Sequence, residues 1–225
     1  MNSKSSFPKI PVAALIQEAY DLSVIAQKDF TELSKNGLTK RSLKELDSLF
    51  EKCKRFETLW CIAKQDSKFE YVELREFTAK CKKIRGDLHK NVAFVLKRDG
   101  KELPGVSRKN ARPEIIQDLF DIAQIAETII ANQKSISLSS SLVEKARKNG
   151  KALSKLDAVV TNNQCLKKEL KGKRDNSAHE LASLIATIRI TGKAAFADNP
   201  LRAKAYASSY HRQTRGSNQR RNAPY

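Results

Sequence analysis

The sequence predicts an all-α protein. Apolar residues recur at spacings of three and four along most of the chain, helix-type punctuation brackets those stretches, and Gly and Pro number only 8 and 6 in 225 residues. A sandwich or barrel would need turn residues roughly every 8–12 positions. The finer expectation is a tandem duplication of an antiparallel three-helix unit, giving six long helices packed as two bundles or one merged bundle. Residues 1–9 form a flexible N-terminus, 10–98 the first helical unit, 99–111 a linker, 112–198 the second unit, and 199–225 a short helix with a disordered basic tail. A chain of this length can bury a core without disulfide staples.

The duplication is read from a match at a spacing of about 100 residues. Ile16-Gln17-Glu18-Ala19-Tyr20-Asp21-Leu22 returns as Ile116-Gln117-Asp118-Leu119-Phe120-Asp121-Ile122, and Ile25-Ala26 as Ile125-Ala126. Weaker matches continue with Leu38 and Leu138, Leu43 and Val143, Phe56 and Leu156, and, after a two-residue slip, Ala93-Phe94 and Ala195-Phe196. Such periodicity marks repeated supersecondary units.

Each helix has its own stripe. Val12, Leu15, Ile16, Ala19, Leu22 and Ala26 define the first, copied by Ile115, Ile116, Leu119, Ile122, Ala126 and Ile129. Leu43, Leu46, Leu49, Phe50, Cys53, Phe56, Leu59, Trp60 and Ala63 define the second; Phe77, Cys81, Ile84, Leu88 and Val95 the third. In the second half the counterparts are Leu142, Val143, Ala146, Leu153, Leu156 and Val160, then Ala178, Leu181, Leu184, Ile185 and Ile188.

Pro11 and Pro113 suit helix starts, where the missing amide hydrogen costs nothing. Asn36-Gly37 suits a helix stop, and Ser141 with Glu144 fits a capping box. Gly150 stands where the first half has Phe50; its retention inside a helix predicts that it admits a large side chain or a close helix crossing, since mid-helix Gly costs roughly 1 kcal/mol.

Charge is the most unusual feature, with 43 Lys+Arg against 25 Asp+Glu and a net charge of +18. Residues 199–225 contain six basic side chains and no acid. This balance favours a polyanionic partner. The final stretch, Tyr206 to Tyr225, is too poor in apolar residues to fold alone. Its Arg212, Arg215, Arg220 and Arg221 are candidate phosphate ligands, since guanidinium forks bind phosphate bidentately and tyrosines stack on bases. A second candidate cluster, Lys167, Lys168, Lys171, Lys173 and Arg174, lies at the expected turn between the fifth and sixth helices, preceded by Lys145, Arg147, Lys148, Lys151 and Lys155. A third, Lys80, Lys82, Lys83 and Arg85, shares one helix.

Other chemistries find little support. The only histidines, His89, His179 and His211, form no Glu-x-x-His or His-x-x-x-His pattern, so no metal is expected. Phosphate-binding glycine loops are absent. Asp21 and Asp121 recur at matched positions and suit boundary salt bridges. Cys53, Cys61, Cys81 and Cys165 contain no Cys-x-x-Cys pair and fall on apolar stripes, which suits small reduced core residues and a reducing compartment. The apolar stretches Val12 to Ile16 and Leu181 to Ile188 fall far short of the roughly 20 residues that span a bilayer, and the start lacks a signal-peptide pattern.

These observations point to a cytoplasmic, non-enzymatic structural or scaffold protein without cofactor, associating through its basic surface and tail with nucleic acid or a nucleic-acid-containing assembly such as a ribosome, nucleoid or virus particle. The competing expectation is a protein-interaction or oligomerisation module whose tail anchors to an acidic surface on a neighbouring subunit, with no membrane involved in either case.

Overall fold

The computed structural model describes residues 10–98, 100–103, 111–132, 138–208 and 210. Those residues form helices without a strand: α1 (Val12–Lys28), α2 (Phe30–Lys35), α3 (Lys40–Arg98), α4 (Arg112–Asn132), α5 (Ser140–Ala195), α6 (Pro200–Ala203) and a 3-10 turn (Lys204–Tyr206). No helix among them is long and apolar enough to cross a membrane.

The boundaries follow local chemistry. Pro11 precedes α1 in an extended conformation (φ −55°, ψ 141°), and its carbonyl accepts the Leu15 amide at 3.0 Å. Gly37 turns left-handed after α2 (φ 92°), so that its amide reaches the Ser34 carbonyl at 3.2 Å and the Leu38 amide the Leu33 carbonyl at 3.1 Å. Thr39 caps α3, its hydroxyl accepting the Ser42 amide at 3.1 Å. Helix α5 begins at Ser140, earlier than the capping box at Ser141 would place it; Ser139 precedes it, and the Ser139 and Ser141 hydroxyls bond each other at 2.8 Å.

Six α-helices stand among the described residues, but the expected six long helices are not formed: α2 has 6 residues and α6 only 4. The second and third helices expected in each half are one continuous helix, α3 of 59 residues and α5 of 56. No turn interrupts α5 at Lys167–Arg174. The segment holds no proline, and its one glycine, Gly172, costs only about 1 kcal/mol in a helix, too little to break one that is packed on both sides of it.

The chain clusters into two compact units, one drawn from Met1–Ile62 and Lys167–Tyr225, the other from Ala63–Leu166. They cut across the expected segments 10–98 and 112–198, because each long helix contributes a part to each unit.

In unit 1, α1 and α2 pack with the first part of α3 and the last part of α5. Leu15, Ala19, Leu22, Ala26, Leu33, Leu46, Cys53, Leu181, Ile185 and Ile188 are buried there. Lys52 pairs with Glu180 at 2.9 Å and the Arg174 guanidinium lies over Trp60 at 3.9 Å, which fixes the two long-helix segments as antiparallel. On α1, Ser23 donates to Asp47 at 2.7 Å and Glu18 pairs with Arg189 at 2.7 Å.

In unit 2, α4 packs with the later part of α3 and the first part of α5 around Leu74, Cys81, Leu88, Val92, Ile115, Leu119, Ile122, Leu153 and Val160. Here Asn163 donates to Glu70 at 2.6 Å, and Asp118 of α4 pairs with Arg85 of α3 at 2.9 Å. Positions 18 and 118 thus each carry a buried acid that meets an arginine. Asp21 and Asp121, expected in salt bridges, are exposed instead and accept from Gln17 and Gln117 at 2.9 and 2.8 Å.

Two of the four cysteines depart from expectation. All four thiols are free, but only Cys53 and Cys81 are buried; Cys61 and Cys165 are exposed. Burial raises the thiol pKa of both Cys53 and Cys81.

Glycines decide the local packing. A Cβ on Gly150 would stand 3.4 Å from the Phe120 ring and 3.5 Å from Leu119, so this residue does admit a large side chain. The matched pair in unit 1 reverses the arrangement: Phe50 occupies the helix position and the Tyr20 ring, 55% exposed, is set beside it at 6.1 Å between centroids. Gly192 is far tighter, since a Cβ there would lie 2.1 Å from the Tyr206 ring. Gly192→Ala is therefore expected to expel Tyr206 and cost roughly 2–3 kcal/mol of buried aromatic surface, read as rapid proteolysis near residues 200–210. Gly150→Ala is expected to stay within about 1 kcal/mol of the parent in chemical denaturation, helix propensity offsetting a snug contact.

Candidate nucleic-acid interface

The predicted cluster on α5 is only partly available. Arg174 is buried at 9% exposure, lies over Trp60, and is paired with Asp175 at 2.5 Å and Glu57 at 3.8 Å. Lys173 reaches Glu169 at 2.6 Å, both exposed, and Lys167 is half-buried. Lys168 and Lys171 are exposed, three residues apart on one helix face, with no carboxylate at ion-pair distance among the described residues. Arg174 continues the buried stripe Ala178, Leu181, Ile185 at helical spacing, a signal present in the sequence but masked by the surrounding lysines. Arg212, Arg215, Arg220 and Arg221 lie outside the described residues, as does His211.

A better cationic surface stands on the first part of α5, in unit 2. Lys145, Lys148, Lys151 and Lys155 are spaced three, three and four residues apart, which places them on one face. All four are exposed, and among the described residues none pairs with a carboxylate. Three like-charged neighbours at helical spacing cost roughly 0.2–0.5 kcal/mol each, offset only in part by Glu144 one turn before Lys148. A groove of about 690 Å³ adjoins them, its apolar floor including Ile130, Ala131 and Val143 and its wall including Lys148 and Lys151. Beside it Arg147 is locked to Glu127 at 2.5 and 2.6 Å and to Gln124 at 2.7 Å. That hydrogen bonding holds the Glu127 carboxyl below its ordinary value.

Of the third predicted cluster, Arg85 is engaged by Asp118, whereas Lys82 is exposed. Lys82 lines a smaller notch of about 330 Å³ with Tyr71, Arg75, Thr78, Ala79 and Arg112. Sequence reading missed Tyr71, Arg75 and Arg112, although 71, 75, 78 and 82 recur at helical spacing. Among the described residues no three His, Cys, Asp or Glu side chains gather as a metal site would need.

The stretch read as tail begins in the folded body. Tyr206 is fully buried in unit 1, stacked on Phe196 at 5.9 Å, with its hydroxyl donating to Asp29 at 2.7 Å. Arg202 grips both oxygens of Asp29, its Nε at 2.9 Å from Oδ2. The Ser208 hydroxyl and the Tyr210 amide both donate to Glu18, at 2.5 and 3.0 Å. The expectation that everything from Tyr206 onward stays unfolded is therefore corrected for residues 206–208 and 210: tertiary partners supply the burial that the segment's composition lacks.

Burial works against ionising both carboxyls. For Glu18, Ser208, the Tyr210 amide and Arg189 outweigh it; for Asp29, Arg202 and Tyr206 do, so both titrate below their ordinary values of 4.5 and 3.8. Burial first, then the Asp29 hydrogen bond, raises the Tyr206 phenol above its ordinary 10.0.

Compared with known proteins, the chain matches no family model, no curated protein sequence and no solved structure.

The carboxylates' stabilisation is complete above their ordinary pKa values and disappears as pH falls through the depressed ones. The phenol's is complete below pH 10 and fades as pH rises toward its elevated value. Protection factors against hydrogen exchange at residues 200–208, corrected for the pH dependence of intrinsic exchange, are thus expected to fall at both extremes, beginning below about pH 4.5 and above about pH 10. The double change Glu18→Gln and Asp29→Asn should remove the acid limb.

Proposed function

We propose that this chain is a non-enzymatic helical scaffold that associates with nucleic acid or a nucleic-acid-containing assembly, chiefly through the lysine stripe on α5. The observation that carries the reading is the stripe itself: four exposed ammonium groups on one face, unpaired among the described residues, in a protein of net charge +18. Lysines that served only for solubility would be expected to alternate with acids, as Lys173 does with Glu169 and Lys35 with Glu32. Repulsion retained along a helix is relieved when phosphates replace counterions. Lys168 and Lys171 in unit 1, and Arg212, Arg215, Arg220 and Arg221, would add contacts, and cytoplasmic residence would suit such a partner.

We further read the two halves of the chain as products of duplication. Supporting this, Leu15, Glu18, Ala19, Leu22 and Ala26 are buried, as are Ile115, Asp118, Leu119, Ile122 and Ala126 at a spacing of 100.

A second reading, self-association, is favoured by Phe69, Val72, Val159 and Leu166 in unit 2, which are 67%, 54%, 53% and 49% exposed. Large exposed apolar side chains in one unit mark interaction surfaces. On this reading the partner is a second copy, and sedimentation equilibrium should show a mass that rises with concentration and returns to monomer in Phe69→Ser.

The primary reading predicts that the full chain, freed of copurifying material, binds a 20-base-pair DNA duplex at about 50 mM salt. Replacing Lys145, Lys148, Lys151 and Lys155 together by Gln should weaken binding roughly tenfold or more and flatten the log affinity against log salt slope by about three to four. Unchanged affinity and slope, with circular dichroism intact, would discard the stripe as the interface.

A further inference from the structure

The notch on α3 and α4 differs from a groove in unit 1 and from the groove beside the lysine stripe in the sign and kind of its walls. The 460 Å³ groove of unit 1 sets Glu18 and Asp21 against Arg189, and the 690 Å³ groove of unit 2 includes Glu127 and Glu144. The walls of the 330 Å³ notch carry Arg75, Lys82 and Arg112 and no carboxylate. Arg112 is balanced by Asp157, 3.1 Å from its Nε. Arg75 and Lys82 have no such counter-charge among the described residues, so the notch keeps two uncompensated cations.

Its fourth large side chain is an aromatic ring. Tyr71 lies one helical turn before Arg75 on the same face of α3 and is 54% exposed. An exposed phenol ring beside unpaired cations is the combination that binds a phosphate together with the flat ring attached to it. The volume is near the lower limit of ligand pockets, about 300–1,000 Å³, enough for one nucleotide. A base within a duplex is stacked on both faces and cannot reach Tyr71; an unpaired base can.

Resting on the polyanion reading above, we propose that this notch receives one unpaired nucleotide of a single-stranded nucleic acid, its base stacked on Tyr71 and its phosphate held by Arg75 and Lys82, with Arg112 completing the wall. The lysine stripe supplies attraction indifferent to strand type, and the notch adds a preference for single strands.

The test measures binding of the full chain to a fluorescein-labelled 20-nucleotide oligo-uridine and to a 20-base-pair duplex, by anisotropy from about 50 to 300 mM salt. The expected result is a preference for the single strand that grows with salt, as the electrostatic share shrinks. Tyr71→Ala should weaken single-strand binding between about fivefold and a hundredfold at unchanged salt slope, and leave the duplex unaffected. Tyr71→Phe should retain the preference. Arg75→Gln with Lys82→Gln should lower the single-strand slope by about 1.4. If both probes bind with a stripe-dependent slope and Tyr71→Ala changes nothing, or weakens both equally, the notch proposal is overturned and the stripe survives. If neither probe binds, both fall.

Discussion

Neither half of this sequence can cover its own apolar stripes, and the fold follows from that constraint. The face of α1 that carries Leu15, Ala19 and Leu22 is covered by Leu46 and Cys53 from the start of α3 and by Leu181, Ile185 and Ile188 from the end of α5. The face of α4 is covered by the start of α5 and the end of α3 in the same way. A break in either long helix would strip a wall from a unit, so continuity through α3 and α5 is enforced by packing. The buried pairs Glu18 with Arg189 and Asp118 with Arg85 add a directional check, because an unpaired buried charge is costly and a wrongly chosen helix partner would leave one.

The same constraint accounts for how the two sets of side chains compensate. In unit 2, Gly150 leaves room for the Phe120 ring; in unit 1, Phe50 fills that room and Tyr20 is set outward. Toward the end of α5 the exchange is larger. Gly192 is covered by Tyr206, while Val92 near the end of α3 fills its own space and is fully buried. Tyr206 thus closes the core of unit 1 over Gly192, and Asp29 and Glu18 tie the segment that carries it.

The partly buried ion pairs are made mostly by arginine, while the paired lysines, Lys52 with Glu180 and Lys173 with Glu169 among them, lie on the surface. Arg85, Arg147, Arg174, Arg189 and Arg202 are tied into ion pairs, where a planar guanidinium satisfies a carboxylate or lies on a ring at little entropic cost. The surface stripe is made of lysine, a flexible point charge that suits contacts with phosphates of no fixed position. Arg75 has no ion pair among the described residues and stands beside Tyr71 and Lys82.

By itself the sequence determined that the chain is helical, where α1 and α4 begin, that a helix stops at Asn36-Gly37, which faces are apolar, and that Gly150 answers a large side chain. The spacing of Lys145, Lys148, Lys151 and Lys155 also suffices to put them on one face, since helical spacing is a local property, although the sequence reading named them only as a run before the Lys167–Arg174 cluster. Tertiary structure alone decided that residues 160–178 do not turn, that Arg174 is buried beneath a lysine run, that Cys61 and Cys165 face outward, and that the chain stays folded as far as Ser208. Each of those outcomes depends on which distant segment lies opposite: Trp60 for Arg174, Asp29 and Gly192 for Tyr206. Periodicity reports that a face must be covered, but the identity of what covers it is a pairwise, long-range choice that spacing along one chain does not encode.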